Sequence, residues 1–159
     1  MALETRWEFD YPKALRAQWQ SGNKLAEEWY EKYPFFDPAD FRNTQRQHDY
    51  HFFEWLAAIR IYERSGWFSL VEKYDFDNHP RKLCILKLLT TEKQIHALDR
   101  RNRPCQCPDL LVYKPDLSDF YFCEVKGPKD RTRPKQEEFF KRLAKKSGKP
   151  VCFAKFREV

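Results

Sequence analysis

At 159 residues the chain is long enough to bury the core of one compact domain without disulfides or a structural metal. Apolar residues make up 42%, charged residues 34% and aromatics 17%, a balance that argues against disorder, and there is no long apolar run to serve as a membrane span. The formal charge is +6 and is unevenly spread: residues 126–149 carry ten basic side chains against three acidic ones, a net +7. Such clustering suits a polyanionic partner, and it equally suits a solvated helix face.

Five cysteines, an odd number at irregular spacing, do not make a disulfide framework. The opening Met-Ala-Leu-Glu-Thr-Arg shows no secretory pattern. The expectation is an intracellular protein with no membrane association: cytoplasmic in a bacterium or phage-infected cell, nuclear in a eukaryote.

No internal repeat or low-complexity segment is present. The first 40 residues are dense in aromatics and prolines, among them Trp7, Phe9, Tyr11, Trp19, Trp29, Phe35 and Phe36. Asp10 followed by Pro12 resembles a helix start, residues 24–31 read as a second short helix, and Phe35-Phe36-Asp37-Pro38 breaks the pattern. Residues 1–40 are therefore expected to form an aromatic-rich helical extension packed on a domain of residues 41–159. A docking surface, or aromatics that stack on unpaired bases, are the alternatives for it.

Thr44-Gln45-Arg46-Gln47 matches a capping box, and Phe52, Trp55, Leu56, Ile59 and Tyr62 follow at helical spacing before Ser65-Gly66. A helix over 45–64 is predicted. Residues 67–74 read as a strand and 75–80 as turn. Residues 81–89 suit either a helix or a buried strand, and the Thr91–Gln94 capping pattern predicts a helix to about Arg100. Residues 110–113 and 120–126 then form a hairpin around a turn containing Pro115. Residues 134–146 are a helix closed by Gly148, and 151–156 a last strand. The order predicts an α/β domain around a mixed sheet.

The chemistry concentrates in Pro108-Asp109-Leu-Leu-Val-Tyr and Phe122-Cys-Glu124-Val-Lys126-Gly127. Alternate strand residues share a face, so Glu124 and Lys126 project together, about 7 Å apart. Asp109 begins the other hairpin strand and comes alongside. Two carboxylates supply hard oxygen ligands for a divalent cation, with the Val125 carbonyl as a third, and Lys126 can position the attacking water or offset developing charge. An isolated Glu-Val-Lys is commonly no more than a solvated strand end. Here Asp109 lies fifteen positions upstream, Gly127-Pro128 breaks the strand behind it, and a basic helix follows.

Asp109, Glu124 and Lys126 match the PD-(D/E)XK nuclease signature. The run Glu124-Val-Lys-Gly-Pro-Lys-Asp-Arg131, with Gln136 beyond it, resembles the VRR-NUC branch of that superfamily. That branch includes the nuclease domain of the Fanconi-associated nuclease and small stand-alone phage and bacterial proteins. The likeness spans residues 108–140, extends back to the helix at 45–64, and does not reach the first 40 residues.

The resemblance implies a restriction-endonuclease-like core, a mixed sheet flanked by helices, and Mg²⁺- or Mn²⁺-dependent hydrolysis of DNA, with flaps or four-way junctions as substrates and a role in DNA repair. RNA as substrate and a homodimer are left open. It further implies a catalytic Glu on the first helix, Glu54 with Glu63 as second choice, binding metal directly or through water. Gln136 would orient water or phosphate, and Lys129, Arg131, Arg133 and Lys135 would hold nucleic acid. After Asp130-Arg131 the family usually shows Leu-Ser, whereas this chain has Thr132-Arg133-Pro134, which shifts the helix start.

Three other readings compete: a non-catalytic nucleic-acid-binding module on the same fold, a protein-interaction domain, and a zinc site drawn from Cys84, Cys105, Cys107, Cys123, Cys152 and His96. The last lacks any Cys-x-x-Cys pair and stands against small buried thiols.

Overall fold

A computed structural model describes residues 3–47, 49–72, 74, 79–98 and 107–159. Its strands are β1 (Glu4–Tyr11), β2 (Phe68–Val71), β3 (Leu110–Tyr113), β4 (Phe120–Lys126) and β5 (Val151–Glu158). They form one mixed sheet in the order β1-β5-β4-β3-β2. β2, β3 and β4 run antiparallel to their neighbours in turn, while β4·β5 and β5·β1 are parallel. Around the sheet lie α1 (Lys13–Gln20), α2 (Lys24–Lys32), α3 (Pro38–Arg46), α4 (Phe52–Ser65), α5 (Pro80–Leu89), α6 (Glu92–Ala97) and α7 (Pro134–Ser147). This mixed sheet flanked by helices is the restriction-endonuclease-like α/β arrangement. Among the described residues no helix is long and apolar enough to cross a membrane.

The central strands are covered on both faces, which is why β3 and β4 read as nearly continuous apolar runs. Strand alternation divides their side chains between two cores. Leu110, Val112, Tyr121, Cys123 and Val125 face α4, whose Trp55, Leu56, Ile59 and the alanines between them are almost wholly buried. Leu111, Tyr113, Phe120 and Phe122 face Phe139, Phe140 and Leu143 of α7. The predicted hairpin boundaries coincide with β3 and β4. Helix α7 ends at Gly148 in the left-handed region, as its C-cap requires (φ 69°).

Two expectations change, and a third that the sequence left open is settled. Residues 45–64 are not one helix: α3 ends at Arg46, and α4 starts at Phe52 after His51 at φ 70°. Thr44 is buried in the last turn of α3 with its hydroxyl donating to the Phe41 carbonyl at 2.7 Å, so it caps nothing. The working capping box lies upstream, where Asp37 accepts from the Ala39 amide at 2.8 Å and Asp40 from the Asp37 amide at 2.9 Å. Second, the N-terminal segment is not wholly helical, because β1 pairs in parallel with β5 and completes the sheet. Third, residues 81–89 resolve as helix, since Pro80 stands in the first turn of α5. The Thr91–Gln94 box does form, with Thr91 and Gln94 exchanging hydrogen bonds at 2.9 and 3.3 Å. The turn at 75–78 and the helix beyond 98 lie outside the described residues.

The aromatics of the first 40 residues serve packing. Phe36 stacks on Trp55 with centroids 3.9 Å apart, and Trp19 contacts Trp29, Phe52 and Trp55. Cys123 and Cys152 are buried free thiols paired across β4 and β5. Cys105 and the His96 side chain, on which the zinc reading also drew, are outside the described residues.

One buried ion pair fastens α5 to the rest. Lys82, 1% exposed, donates to Asp40 and to the carbonyls of Val71 and Glu72 at the exit of β2. Burial pushes the Asp40 carboxyl up to about 6 despite the ammonium beside it. Lys82→Met should therefore cost ~3–5 kcal/mol in urea unfolding at neutral pH, because a buried carboxylate and two carbonyls lose their donor. A loss below about 1 kcal/mol would show that water replaces the ammonium.

Candidate active site

Backbone bonding between β3 and β4 follows the register Leu110↔Cys123, and one step further the side chains take over. The Val125 amide donates to the Asp109 carboxylate at 2.9 Å, and the Asp109 amide to the Glu124 carboxylate at 3.2 Å. These two crossed bonds place both carboxylates at the sheet end where β3 begins.

Lys126 shares the Glu124 face of β4, as strand alternation requires. Its ammonium lies 3.3 Å from Glu124 Oε2 and 3.1 Å from Gln136 Oε1. The Gln136 amide in turn donates to the same Glu124 oxygen, closing a three-membered polar ring. Gln136 can reach because α7 starts at Pro134, directly behind the loop at 127–133. Asp130 holds that loop by accepting from the Gly127 amide at 2.8 Å.

Glu54, in the first turn of α4, reaches the same place. Glu54, Asp109, Glu124, Val125, Lys126 and Gln136 line one cleft of about 470 Å³, together with Cys107, Asp130, Arg131 and Arg133. Glu63 is elsewhere, accepting from the Tyr33 hydroxyl at 3.0 Å and paired with Arg60. Of the cations expected to hold nucleic acid, Arg131 and Arg133 line this cleft. Lys129 lines a neighbouring cleft, and Lys135 is exposed on the first turn of α7.

Sequence reading missed two residues at the rim. His51 Nδ1 lies 2.8 Å from a Glu72 carboxylate oxygen, and the ligand atoms of both lie within 4.8 Å of a Glu54 carboxylate oxygen. His51 only precedes α4 and Glu72 only follows β2, so no spacing marks them. Strand pairing brings them in, for the Glu72 amide donates to the Asp109 carbonyl at 2.8 Å.

The electrostatics follow from crowding. Burial raises the Asp109 carboxyl well above the usual range, and Glu124 raises it further. Burial also lifts Glu54 to about 7, aided by Glu72 and, more weakly, Glu124. Carboxyls packed this way hold protons unless a cation shares the site. The donors are hard oxygens in an open cleft, a set that fits a divalent cation such as Mg²⁺ or Mn²⁺.

The VRR-NUC domain family matches residues 58–155, which begin four positions after Glu54. No curated protein matches the chain. Among solved structures the chain is similar to paFAN1, in a crystal structure bound to 2-nucleotide 5′-flap DNA with a gap. The identity is 19% and the TM-score 0.44, over 77% of this chain and 24% of that one. The chain thus spans about a quarter of that protein's length.

A raised carboxyl pKa has a definite sign in stability. The folded state keeps a proton on Glu54 that the unfolded chain releases above its ordinary value of 4.5, so this stabilisation is complete below about 4.5 and lost as pH rises through about 7. Asp109 acts in the same direction. In EDTA, urea unfolding should show stability falling between pH 5 and pH 7. Glu54→Gln should flatten that fall and be more stable than wild type at pH 7, by on the order of 1–3 kcal/mol. Identical pH slopes in the two proteins would remove Glu54 from the coupled set.

Proposed function

Because the chain belongs to the VRR-NUC domain family, we propose that it is a metal-dependent nuclease that hydrolyses phosphodiester bonds in DNA in the cleft between α4, the β3–β4 edge and α7. The observation that carries this reading is the crossed pair of bonds between Asp109 and the Glu124–Val125 peptide, with Lys126 and Gln136 closed onto Glu124.

Asp109 and Glu124, with the Val125 carbonyl, would hold Mg²⁺ or Mn²⁺, and Glu54 would hold it through water. The bound cation supplies charge neutralisation at the scissile phosphate. Lys126 has three N–H donors, two of them directed at Glu124 and Gln136. The third is available to orient the attacking water or to bond a phosphate oxygen as charge develops on it. Gln136 acts through the other two, holding the Glu124 carboxylate and the Lys126 ammonium in register. Arg131 and Arg133 meet the backbone phosphates of the substrate at the cleft wall. Contacts of this kind are to backbone and shape, which suits branched DNA, flaps or four-way junctions, better than a read sequence.

Labelled single-strand, duplex, flap and four-way DNA, with an RNA control, should be cut with Mn²⁺ and spared in EDTA. Asp109→Ala, Glu124→Ala and Lys126→Ala should each lower single-turnover cleavage by about 10³-fold, assayed below the melting transition of each variant, the scale of one lost charge-stabilising group. Full activity in EDTA or in Asp109→Ala would overturn the assignment.

Substrate grip is tested separately. Removing Lys129, Arg133 and Lys135 together should flatten the log–log salt dependence of duplex binding by about 0.9 per charge, near 2.7 in all. An unchanged slope would return these side chains to solvent.

A further inference from the structure

A second cleft, about 700 Å³, adjoins the first and shares Asp130 with it. One wall is α1, whose Lys13, Arg16, Ala17 and Gln20 share a helix face. Gly127, Pro128 and Lys129 contribute the loop side, and Phe53 of α4 also lines it. The loop is seated closely there: a Cβ on Gly127 would lie 2.8 Å from Phe53 Cε2.

The charges in this cleft are arranged for an anion. Its two acids keep their charge but are held in place, Asp130 by the Gly127 amide at 2.8 Å and Glu158 by the Tyr11 hydroxyl at 3.3 Å, and Lys13, Arg16 and Lys129 outnumber them. Its cations are not tied up by those acids. Lys13 and Lys129 have no ion-pair partner among the described residues. The Arg16 guanidinium lies over the Phe53 ring at 4.7 Å and also bears on the Tyr11 hydroxyl, contacts that fix its plane and do not use up its five N–H donors. Three cations on two facing walls, beside the scissile-phosphate cleft, match the backbone of one strand.

The geometry points to this second cleft as a subsite for the nucleic-acid strand next to the cut, its phosphates held by Lys13, Arg16 and Lys129. The inference rests on the nuclease reading and goes beyond it in one respect. Helix α1 lies outside residues 58–155, so the grip comes from a segment of this chain that the family match does not cover. The subsite would set how much strand beyond the scissile bond the protein needs.

The test uses the whole protein and a short fluorescein-labelled single-stranded DNA. Lys13→Ala/Arg16→Ala removes two charges, Ala17→Trp fills the cleft without changing charge, and Lys24→Ala/Arg42→Ala is a charge-matched control on α2 and α3. All the altered side chains are exposed or half-buried, and thermal melting checks the fold. In EDTA the first variant should weaken binding roughly tenfold and reduce the salt slope by about 1.4, at 0.7 per charge on single strands. Ala17→Trp should weaken binding with the slope unchanged, and the control should match wild type in affinity. With Mn²⁺ the loss should appear in KM far more than in kcat. Equal weakening in the first variant and the control, or wild-type binding in Ala17→Trp, would overturn the subsite and leave only diffuse attraction. Wild-type protein that binds but cuts none of the DNA forms would instead remove the nuclease reading.

Discussion

Past Leu110 and Cys123, where the register between β3 and β4 ends, a backbone amide on each side bonds a carboxylate of the opposite segment. Such donors must be satisfied where they are buried. Here the Val125 amide takes the Asp109 carboxylate, and the Asp109 amide takes Glu124. The two side chains that the proposed chemistry needs are thereby fixed by the sheet itself. The arrangement has an electrostatic cost, visible in the raised Asp109 carboxyl, and a divalent cation would offset it. Lys126 and Gln136 follow from the same geometry, since both reach Glu124 only while its oxygens are held at the strand end.

The rest of the fold supports that corner from outside. The exit of β2 is tied by Lys82 through the Val71 and Glu72 carbonyls, and the Glu72 amide bonds Asp109. Glu72 sits at φ 44° and His51 at φ 70°, both in the left-handed region that non-glycine residues seldom adopt. These two residues face each other at 2.8 Å beside Glu54. Strained backbone persists where surrounding contacts determine it, and here it brings a rim of charge against the one carboxylate that arrives on a helix.

Much of this was legible in the sequence, for identifiable reasons. β3 and β4 are apolar runs bounded by Pro115 and Gly127-Pro128, so their ends carry local signals, and the Asp109–Glu124–Lys126 set rides on those ends. The N-terminus of α4 was misplaced because Thr44-x-x-Gln47 fits the capping pattern as well as Asp37-x-x-Asp40 does. Only tertiary packing, which buries Thr44, decides between them. β1 escapes the sequence reading although Trp7, Phe9 and Tyr11 alternate with charged residues, because Asp10 followed by Pro12 also fits a helix start. Its pairing partner lies at the far end of the chain. His51 and Glu72 had no local signal at all.

The basic cluster of residues 126–149 shows how a single sequence feature divides once folded. Lys126, Lys141 and Lys149 are occupied by Glu124, Glu137 and Asp119, at 3.3, 3.1 and 2.9 Å. Lys145 and Lys146 stand in the last turn of α7, where a cation complements the helix dipole. What remains for a polyanion is Lys129, Arg131 and Arg133 in the short loop before α7, with Lys135 and Arg142 on the helix itself. That loop is a ridge between the two clefts, with Lys129 lining one, Arg131 and Arg133 the other, and Asp130 both. Asp130 bonds the Gly127 amide, and Gly127 is seated against Phe53, so the ridge is anchored to α4, the helix that also carries Glu54. A strand gripped on both sides of the ridge would therefore be positioned by the same contacts that set the carboxylates, linking substrate alignment to the integrity of the site.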